Sequence, residues 1–385
     1  MIFPPVNSSA IQTNADTSLT IYTYDSLLAD KYYNWVGAFE SYANLPNGSV
    51  KVVLFPDAGN ILTKAVTEKA NPVADVLIGL DNALVHKART EDILQAYKPK
   101  GADNLTSGLV SGLASDYLLT PYDYGLISLW YDKTRLSINE SSFVLQDLIT
   151  QDLAKNLVIE NPQLSSTGLG FLLWTIGVYG DKANNIAGLL NSDWRTYWDK
   201  LSKDTRIADS WGDALDTFYT PEANRSIMVS YSTSTSYNLC NYNDSTTGTL
   251  LSHEGGKVSG WEQIEGLGVV KNAAHQELAK TFVDWFISQE VQSHIYESQW
   301  MYPARVGIQQ PSCYDKAYSP NTVNSLNTIL PQTTVITHLE NWLDDWEVHV
   351  VQGKQGNGFL DMTGWFIVPL FLIPIIRKTI KRFEK

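Results

Sequence analysis

Few of the motifs that mark catalytic sites occur in this 385-residue sequence. Its six histidines form no HExxH and no other metal-binding spacing. A GxSxG nucleophile elbow, a P-loop and a GxGxxG dinucleotide motif are missing, and no pair of acids has a catalytic spacing. These absences favour binding without catalysis. The alternative, an exported hydrolase, would need a nucleophile with a base in reach, and the sequence shows none.

Basic residues are scarce as well. The chain has 28 Lys and Arg against 41 Asp and Glu, which gives a net charge of -13. An acidic chain is a poor partner for nucleic acid and a reasonable one for a cationic ligand. Composition therefore argues against nucleic-acid binding and favours a small cation.

The sequence has two cysteines, Cys240 and Cys313, which lie too far apart for a CxxC motif. They could form one disulfide in an extracytoplasmic protein or remain buried thiols elsewhere, and the spacing leaves both open. Six Asn-X-Ser/Thr triplets give weak support to an exported, glycosylated protein. These triplets begin at Asn7, Asn47, Asn104, Asn139, Asn224 and Asn243.

Aromatic residues are abundant, with 12 Trp and 20 Tyr. They can form a core, or they can wall a pocket for a flat or cationic organic ligand. Some stand where a core is not expected. Trp211 begins a helix after a polar turn, Tyr231 and Tyr237 flank a polar turn, and Trp300 lies in a loop. Each of them alone is more often a packing residue than a ligand contact.

The first part of the chain alternates between strand and helix patterns. Residues 19–24, 50–55 and 76–80 are predicted strands, and a helical pattern follows each of them. This order predicts an α/β unit with a largely parallel sheet. Tyr24 and Asp57 stand at the carboxyl ends of two of these strands, where open α/β sheets bind ligands.

The whole pattern predicts two α/β lobes, each a mixed, mostly parallel sheet flanked by helices. The first lobe would contain residues 19–120 and 270–350, and the second, residues 125–265, would be inserted between them. Strands within 118–131 and 264–270 would cross between the lobes. Such crossings make a hinge, and the ligand would lie in the cleft.

A loop that opens a helix, Glu160–Trp174, is a candidate anion site. Ser165, Ser166 and Thr167 offer N-cap hydroxyls before an apolar run. The free N–H groups and positive dipole at such a start can bind a phosphate or a carboxylate. An ordinary capped helix is the alternative.

The C-terminal segment is strongly apolar and then basic. Residues 351–358 form a predicted linker, residues 359–378 a predicted apolar helix and membrane anchor, and residues 379–385 a basic cytoplasmic tail. The rest of the chain would then lie outside the cytoplasm. A buried or amphipathic C-terminal helix is the alternative.

Several motifs together resemble the bacterial thiamine-binding proteins of ABC importers, which have the two-lobed type II periplasmic-binding-protein fold. The resemblance covers residues 19–350. It is carried by YTYDS (22–26), ADVLIGLDN (74–82), PYDYG (121–125), STGLGFLLW (166–174), VYGD (178–181), SYSTSTSY (230–237) and WMYP (300–303).

The resemblance implies a set of ligand contacts for thiamine. Asp57 would accept from the aminopyrimidine, Ser165 and Ser166 would hold a phosphate, and Ala58 stands where the family has glycine, with Gly59 next. The aromatic residues implied around the two rings are Tyr24, Trp211, Tyr231, Tyr237 and Trp300.

The resemblance also implies partners. The ligand would be thiamine or one of its phosphate esters, no cofactor would be needed, and a monomer would deliver the ligand to an ABC permease and its ATPase. A binder of the same fold for ferric ion, a polyamine or an organophosphate is the nearest alternative. A membrane-tethered adhesion module is a further one.

Overall fold

A computed structural model of the chain describes residues 18–27 and 33–352. Within these ranges the strands are β1 (Leu19–Tyr24), β2 (Val50–Phe55), β3 (Val76–Asp81), β4 (Leu94–Gln95), β5 (Thr120–Asp132), β6 (Leu157–Glu160), β7 (Arg206–Ala208), β8 (Ile227–Tyr231), β9 (Thr247–Leu250), β10 (Ser259–Gly260), β11 (Glu262–Val270), β12 (Tyr302–Pro303) and β13 (Asn324–Ser325). The α-helices are α1 (Trp35–Tyr42), α2 (Ala58–Thr67), α3 (Val85–Thr90), α4 (Ser107–Leu113), α5 (Asp147–Thr150), α6 (Ser166–Tyr179), α7 (Trp194–Leu201), α8 (Trp211–Tyr219), α9 (Ser234–Tyr242), α10 (Gln276–Phe286), α11 (Gln289–Ser293), α12 (Ile295–Ser298) and α13 (Gln332–Trp346).

One continuous sheet runs through both halves of the molecule, in the order β2-β1-β3-β11-β5-β8-β6-β7. The outer pairs, β1 with β2 and β6 with β7, are parallel, and β11 is antiparallel to β3 and β5. The long strand β5 pairs with β11 over residues 120–126 and with β8 over residues 127–131. The predicted crossing strand therefore passes from one half of this continuous sheet to the other, and the predicted α/β architecture is confirmed.

Two hydrophobic cores lie on either side of these crossing strands. The first core takes residues from 19–122 and 264–304, and the second takes residues from 126–261 and 326–350 together with Ala83. The prediction that residues 270–350 return to the first lobe is therefore wrong for their last part. Trp342 and Trp346 on α13 are buried against the inserted lobe because their indoles fill its core.

Helix α6 is the centre of the second core. All 14 of its residues are buried, because leucines, glycines and aromatics surround its whole circumference. A helix that is apolar all round must lie inside a domain. Two of its polar side chains have internal partners: Trp174 Nε1 donates to Ser252 Oγ at 3.2 Å, and Thr175 Oγ1 accepts from Trp198 Nε1 at 2.8 Å.

Two local predictions changed, and one open question was answered. The polar turn predicted between Tyr231 and Tyr237 covers only residues 232 and 233, because α9 begins at Ser234. A disulfide joins Cys240 on α9 to Cys313, which settles the question that spacing left open. The helical chain continues to residue 352, so the predicted linker starts later than residue 351.

The predicted anchor, residues 359–378, and the basic tail, residues 379–385, lie outside the described residues. Within the ranges that are described, no helix combines the length and the apolar character that a membrane span requires.

Candidate functional site

A cavity of about 880 Å³ opens between the two cores, and we call it the cleft. Its volume is in the range of small-molecule sites. Aromatic rings and acids dominate its lining. The aromatic lining residues are Tyr24, Trp130, Trp211, Tyr219, Tyr231, Tyr237, Tyr242 and Trp300, and the acidic ones are Asp25, Asp57, Asp216, Asp244 and Glu265.

The structure brings together eight of the ten residues predicted as ligand contacts. Those that line the cleft are Tyr24, Asp57, Ala58, Ser166, Trp211, Tyr231, Tyr237 and Trp300. Gly59 and Ser165 are not among the lining residues. Among the described residues, no Lys, Arg or His lines the cleft.

Gly59 belongs to the contact between the lobes. A Cβ added at Gly59 would lie 2.7 Å from the carbonyl oxygen of Leu164, so α2 approaches the loop before α6 at backbone distance. Ser165 is buried behind the cleft, and its hydroxyl bonds to Thr167 Oγ1 at 2.9 Å. The prediction that hydroxyls of this loop cap α6 is wrong for Ser165, which makes no side-chain cap bond.

The cap of α6 comes from the other lobe. Asp57 Oδ1 accepts from the N–H of Ser166 at 3.2 Å and from the N–H of Ala58 at 2.8 Å. The Trp211 N–H also stabilises this carboxylate, so the first turns of α2, α6 and α8 converge on Asp57. Burial raises the pKa of Asp57, against the opposing effect of the Ser165 hydroxyl and these N–H groups. The predicted anion seat therefore holds a carboxylate of the protein itself.

The aromatic wall is held from behind by specific contacts. Trp211 Nε1 donates to Ser230 Oγ at 3.1 Å, which fixes the indole against the end of β8. The rings of Tyr237 and Trp300 meet edge to face, with centroids 5.0 Å apart. Trp300, two residues after the end of α12, has a φ of 59°, a left-handed conformation that costs a non-glycine residue roughly 1 kcal/mol. Such strain is typical of residues held in place for function.

A hydrogen-bonded network forms the floor of the cleft, and the sequence motifs did not identify it. Glu265 Oε2 accepts from the hydroxyls of Tyr24 and Tyr122, each at 2.5 Å. Glu265 Oε1 accepts from Gln263 Nε2 at 2.7 Å and from the Tyr231 hydroxyl at 3.2 Å. The only signal in the sequence was an acid inside an apolar strand pattern.

This network joins both lobes through one carboxylate. Tyr24 ends β1 of the first lobe, Tyr231 ends β8 of the second, and Glu265 lies on the crossing strand β11. Gln299 Nε2 donates to the Tyr24 hydroxyl at 2.6 Å and links the floor to the Trp300 loop. Burial raises the pKa of Glu265 to about 7, although the tyrosine donors oppose that rise.

Two lobes joined by crossing strands, with a ligand-sized cleft between them, define a two-lobed solute-binding protein. The chain belongs to the bacterial extracellular solute-binding protein family, whose sequence profile matches residues 71–328.

Relatives within this class agree with the resemblance predicted from the motifs, which is thereby confirmed. The chain is 28% identical over 334 residues to the thiamine-binding periplasmic protein of Brucella melitensis, covering 86% of this chain and 92% of the relative. It is 29% identical over 332 residues to that of Escherichia coli, with the same coverage of 86% and 92%.

Solved structures give the same result. A periplasmic thiamin-binding protein superposes with a TM-score of 0.73 at 28% identity, over 86% of this chain and 96% of that one. A ferric-binding protein from Campylobacter jejuni superposes with a TM-score of 0.68 at 15% identity, over 86% of this chain and 99% of that one. The second likeness shows the fold alone.

Proposed function

We propose that this chain is the extracytoplasmic solute-binding protein of an ABC importer and that it captures thiamine. The observation that carries the proposal is a cleft between the two cores that is lined by eight aromatic residues and five acids. The names of the curated relatives point to the same ligand. Closure of the two lobes would bury the ligand and form a joint surface for the permease, which works with its ATPase.

The lining suits the charge of thiamine. The thiazolium ring carries a permanent positive charge, and an aromatic face attracts a desolvated cation by about 2 kcal/mol. Acids that line the cleft without a basic partner among the described residues add a negative field. The structure therefore offers thiamine both stacking surfaces and counter-ions.

The same lining disfavours a phosphate ester. A phosphate group and a cleft carboxylate about 8 Å apart would repel each other by about 2 kcal/mol at an effective dielectric constant of about 20. The N–H group of Ser166, which the sequence suggested for a phosphate, donates to Asp57 instead. We infer that free thiamine is preferred to thiamine monophosphate and diphosphate.

Calorimetric titration of the full chain with thiamine, its monophosphate and its diphosphate tests the proposal. Thiamine should bind most tightly, and the diphosphate should bind at least about tenfold more weakly, which is about 1.4 kcal/mol. A chain that binds none of the three would refute the function, whereas tighter binding of a phosphate ester would refute only the ligand order. Titration with ferric ion tests the nearest alternative within the fold.

A further inference from the structure

Three carboxyl groups form a row across the central sheet, beneath the cleft. Asp81 on β3 and Asp123 on β5 are the register partners of Glu265 on β11, one on each side of it. The three residues are 2%, 0% and 4% exposed, in the order Asp81, Asp123 and Glu265. No described Lys, Arg or His forms an ion pair with any of them.

The three carboxyls differ in their hydrogen bonds. Asp81 Oδ1 accepts from the N–H groups of Ala83 and Leu84, at 2.8 and 2.9 Å, and Glu265 accepts from the floor network. Asp123 is fully buried, and neither of its carboxyl oxygens has a hydrogen-bond partner among the described residues. A buried carboxylate without donors is costly, so Asp123 holds its proton.

Glu265 differs from the other two members of the row in its access to the cleft. It lines the cleft, whereas Asp81 and Asp123 do not. A register shift at Glu265 leaves Tyr122 as an extra residue on β5, and this bulge aims the tyrosine hydroxyl at the carboxylate. Hydrogen-bond donors around Glu265 can therefore stabilise its ionised carboxylate. Its place in the cleft lining would bring that negative charge close to a bound cation.

The groups that face Glu265 are all neutral donors or acids. They are Tyr24 of β1, Asp81 of β3, Tyr122 and Asp123 of β5, Tyr231 of β8, and Gln263 on its own strand. Burial and the neighbouring Asp81 raise the pKa of Glu265 to about 7. No described base sets its charge, so the charge state depends on pH and on whatever cation occupies the cleft.

We propose that the Asp81–Glu265–Asp123 row is a proton-exchanging counter-ion, and that a cationic ligand displaces a proton from Glu265 when it binds. This inference rests on the proposed capture of thiamine. The thiazolium charge comes from a quaternary nitrogen and needs no proton. The balance is therefore simple: the cation enters, the Glu265 carboxyl ionises, and one proton passes to solvent.

The sign of the pH dependence follows from linkage. A group that must be ionised in the complex weakens binding as the pH falls through its pKa in the free protein. Thiamine affinity should therefore fall about tenfold from about pH 8 to about pH 6. At about pH 7 the complex should release about half a proton per thiamine.

Calorimetry in two buffers measures this release directly. Phosphate and Tris differ widely in ionisation enthalpy, so the difference in apparent binding enthalpy gives the number of protons released. The full chain should release about half a proton at about pH 7. Thiamine binding with no proton release would overturn the inference and leave the proposed function intact, whereas absent binding would overturn both.

Variants test whether the proton released on thiamine binding comes from Glu265. Glu265→Gln should abolish the proton release and flatten the affinity profile. Tyr122→Phe removes one donor to the carboxylate and should move the midpoint of the profile to higher pH. Asp209→Asn removes a charge from an exposed residue outside the cleft lining and is the matched control, with release unchanged. Persistent release in Glu265→Gln, or an unmoved midpoint in Tyr122→Phe, would refute the assignment.

Discussion

The aromatic wall yields the sharpest prediction, because Trp211 can be removed without touching the acids of the cleft. Its indole lines the cleft and is held from behind by Ser230. Trp211→Ala removes one aromatic face from the cation and the stacking surface that goes with it. The expected loss is about 2–3 kcal/mol, from a desolvated cation–π contact and ring stacking.

This loss converts to affinity that is weaker by about 30-fold to 150-fold. Titration calorimetry with thiamine measures it, and a neutral thiazole analogue separates the charge term from the contact term. The analogue should lose less affinity than thiamine, because it has no charge for the ring face to attract.

A matched variant distinguishes the loss of the ligand contact from a general disturbance of the fold. Trp211→Phe keeps an aromatic face but loses the bond to Ser230, and it should bind thiamine within about fivefold of the wild type. Trp211 packs against a small cluster that contains Phe218 and Met228, so melting curves without ligand report any loss of packing. Unchanged thiamine affinity in Trp211→Ala, with a normal melting curve, would refute the cleft as the binding site.

Two further predictions concern the disulfide and the C-terminal segment. Replacing Cys240 and Cys313 with alanine opens a covalent loop of 73 residues. The free energy of unfolding, measured in urea titrations, should fall by about 4 kcal/mol. The wild type treated with reductant should match the variant, and equal urea midpoints with and without the disulfide would contradict the estimate. Membrane anchoring by residues 359–378 stays a prediction of the sequence, and deletion of residues 358–385 followed by membrane fractionation tests it. The truncated chain should still bind thiamine, because the lining residues identified for the cleft all precede residue 302. A truncated chain that folds but cannot bind would show that the tail belongs to the site.

Local sequence patterns predicted much of the architecture. The first strands are rich in β-forming residues, and the observed β1 and β2 have the predicted bounds. The run around residue 125 is rich in β-forming residues and is too long for one small sheet, which indicated a crossing strand. These signals are local, since side-chain periodicity follows directly from backbone geometry.

The candidate site was only partly visible in this way. Trp211, Tyr231 and Trp300 were found because aromatic residues beside polar turns are conspicuous, and the motifs resembled a known family. Glu265 was missed because a single acid in an apolar strand carries no motif. Glu265 becomes a candidate functional residue only because it lies between Asp81 and Asp123 on the neighbouring strands. A local segment of sequence does not determine how strands pair in register.

The sequence by itself determined the two-lobed α/β class, the acidic and aromatic character of the chain, and the family. Only the tertiary structure decided that Asp57 caps a helix of the opposite lobe, that Cys240 bonds Cys313, and that Trp346 is buried in the inserted lobe. The physical reason is distance along the chain. Propensity and periodicity act over a few residues, whereas caps, disulfides and cores join groups that only the folded chain brings together.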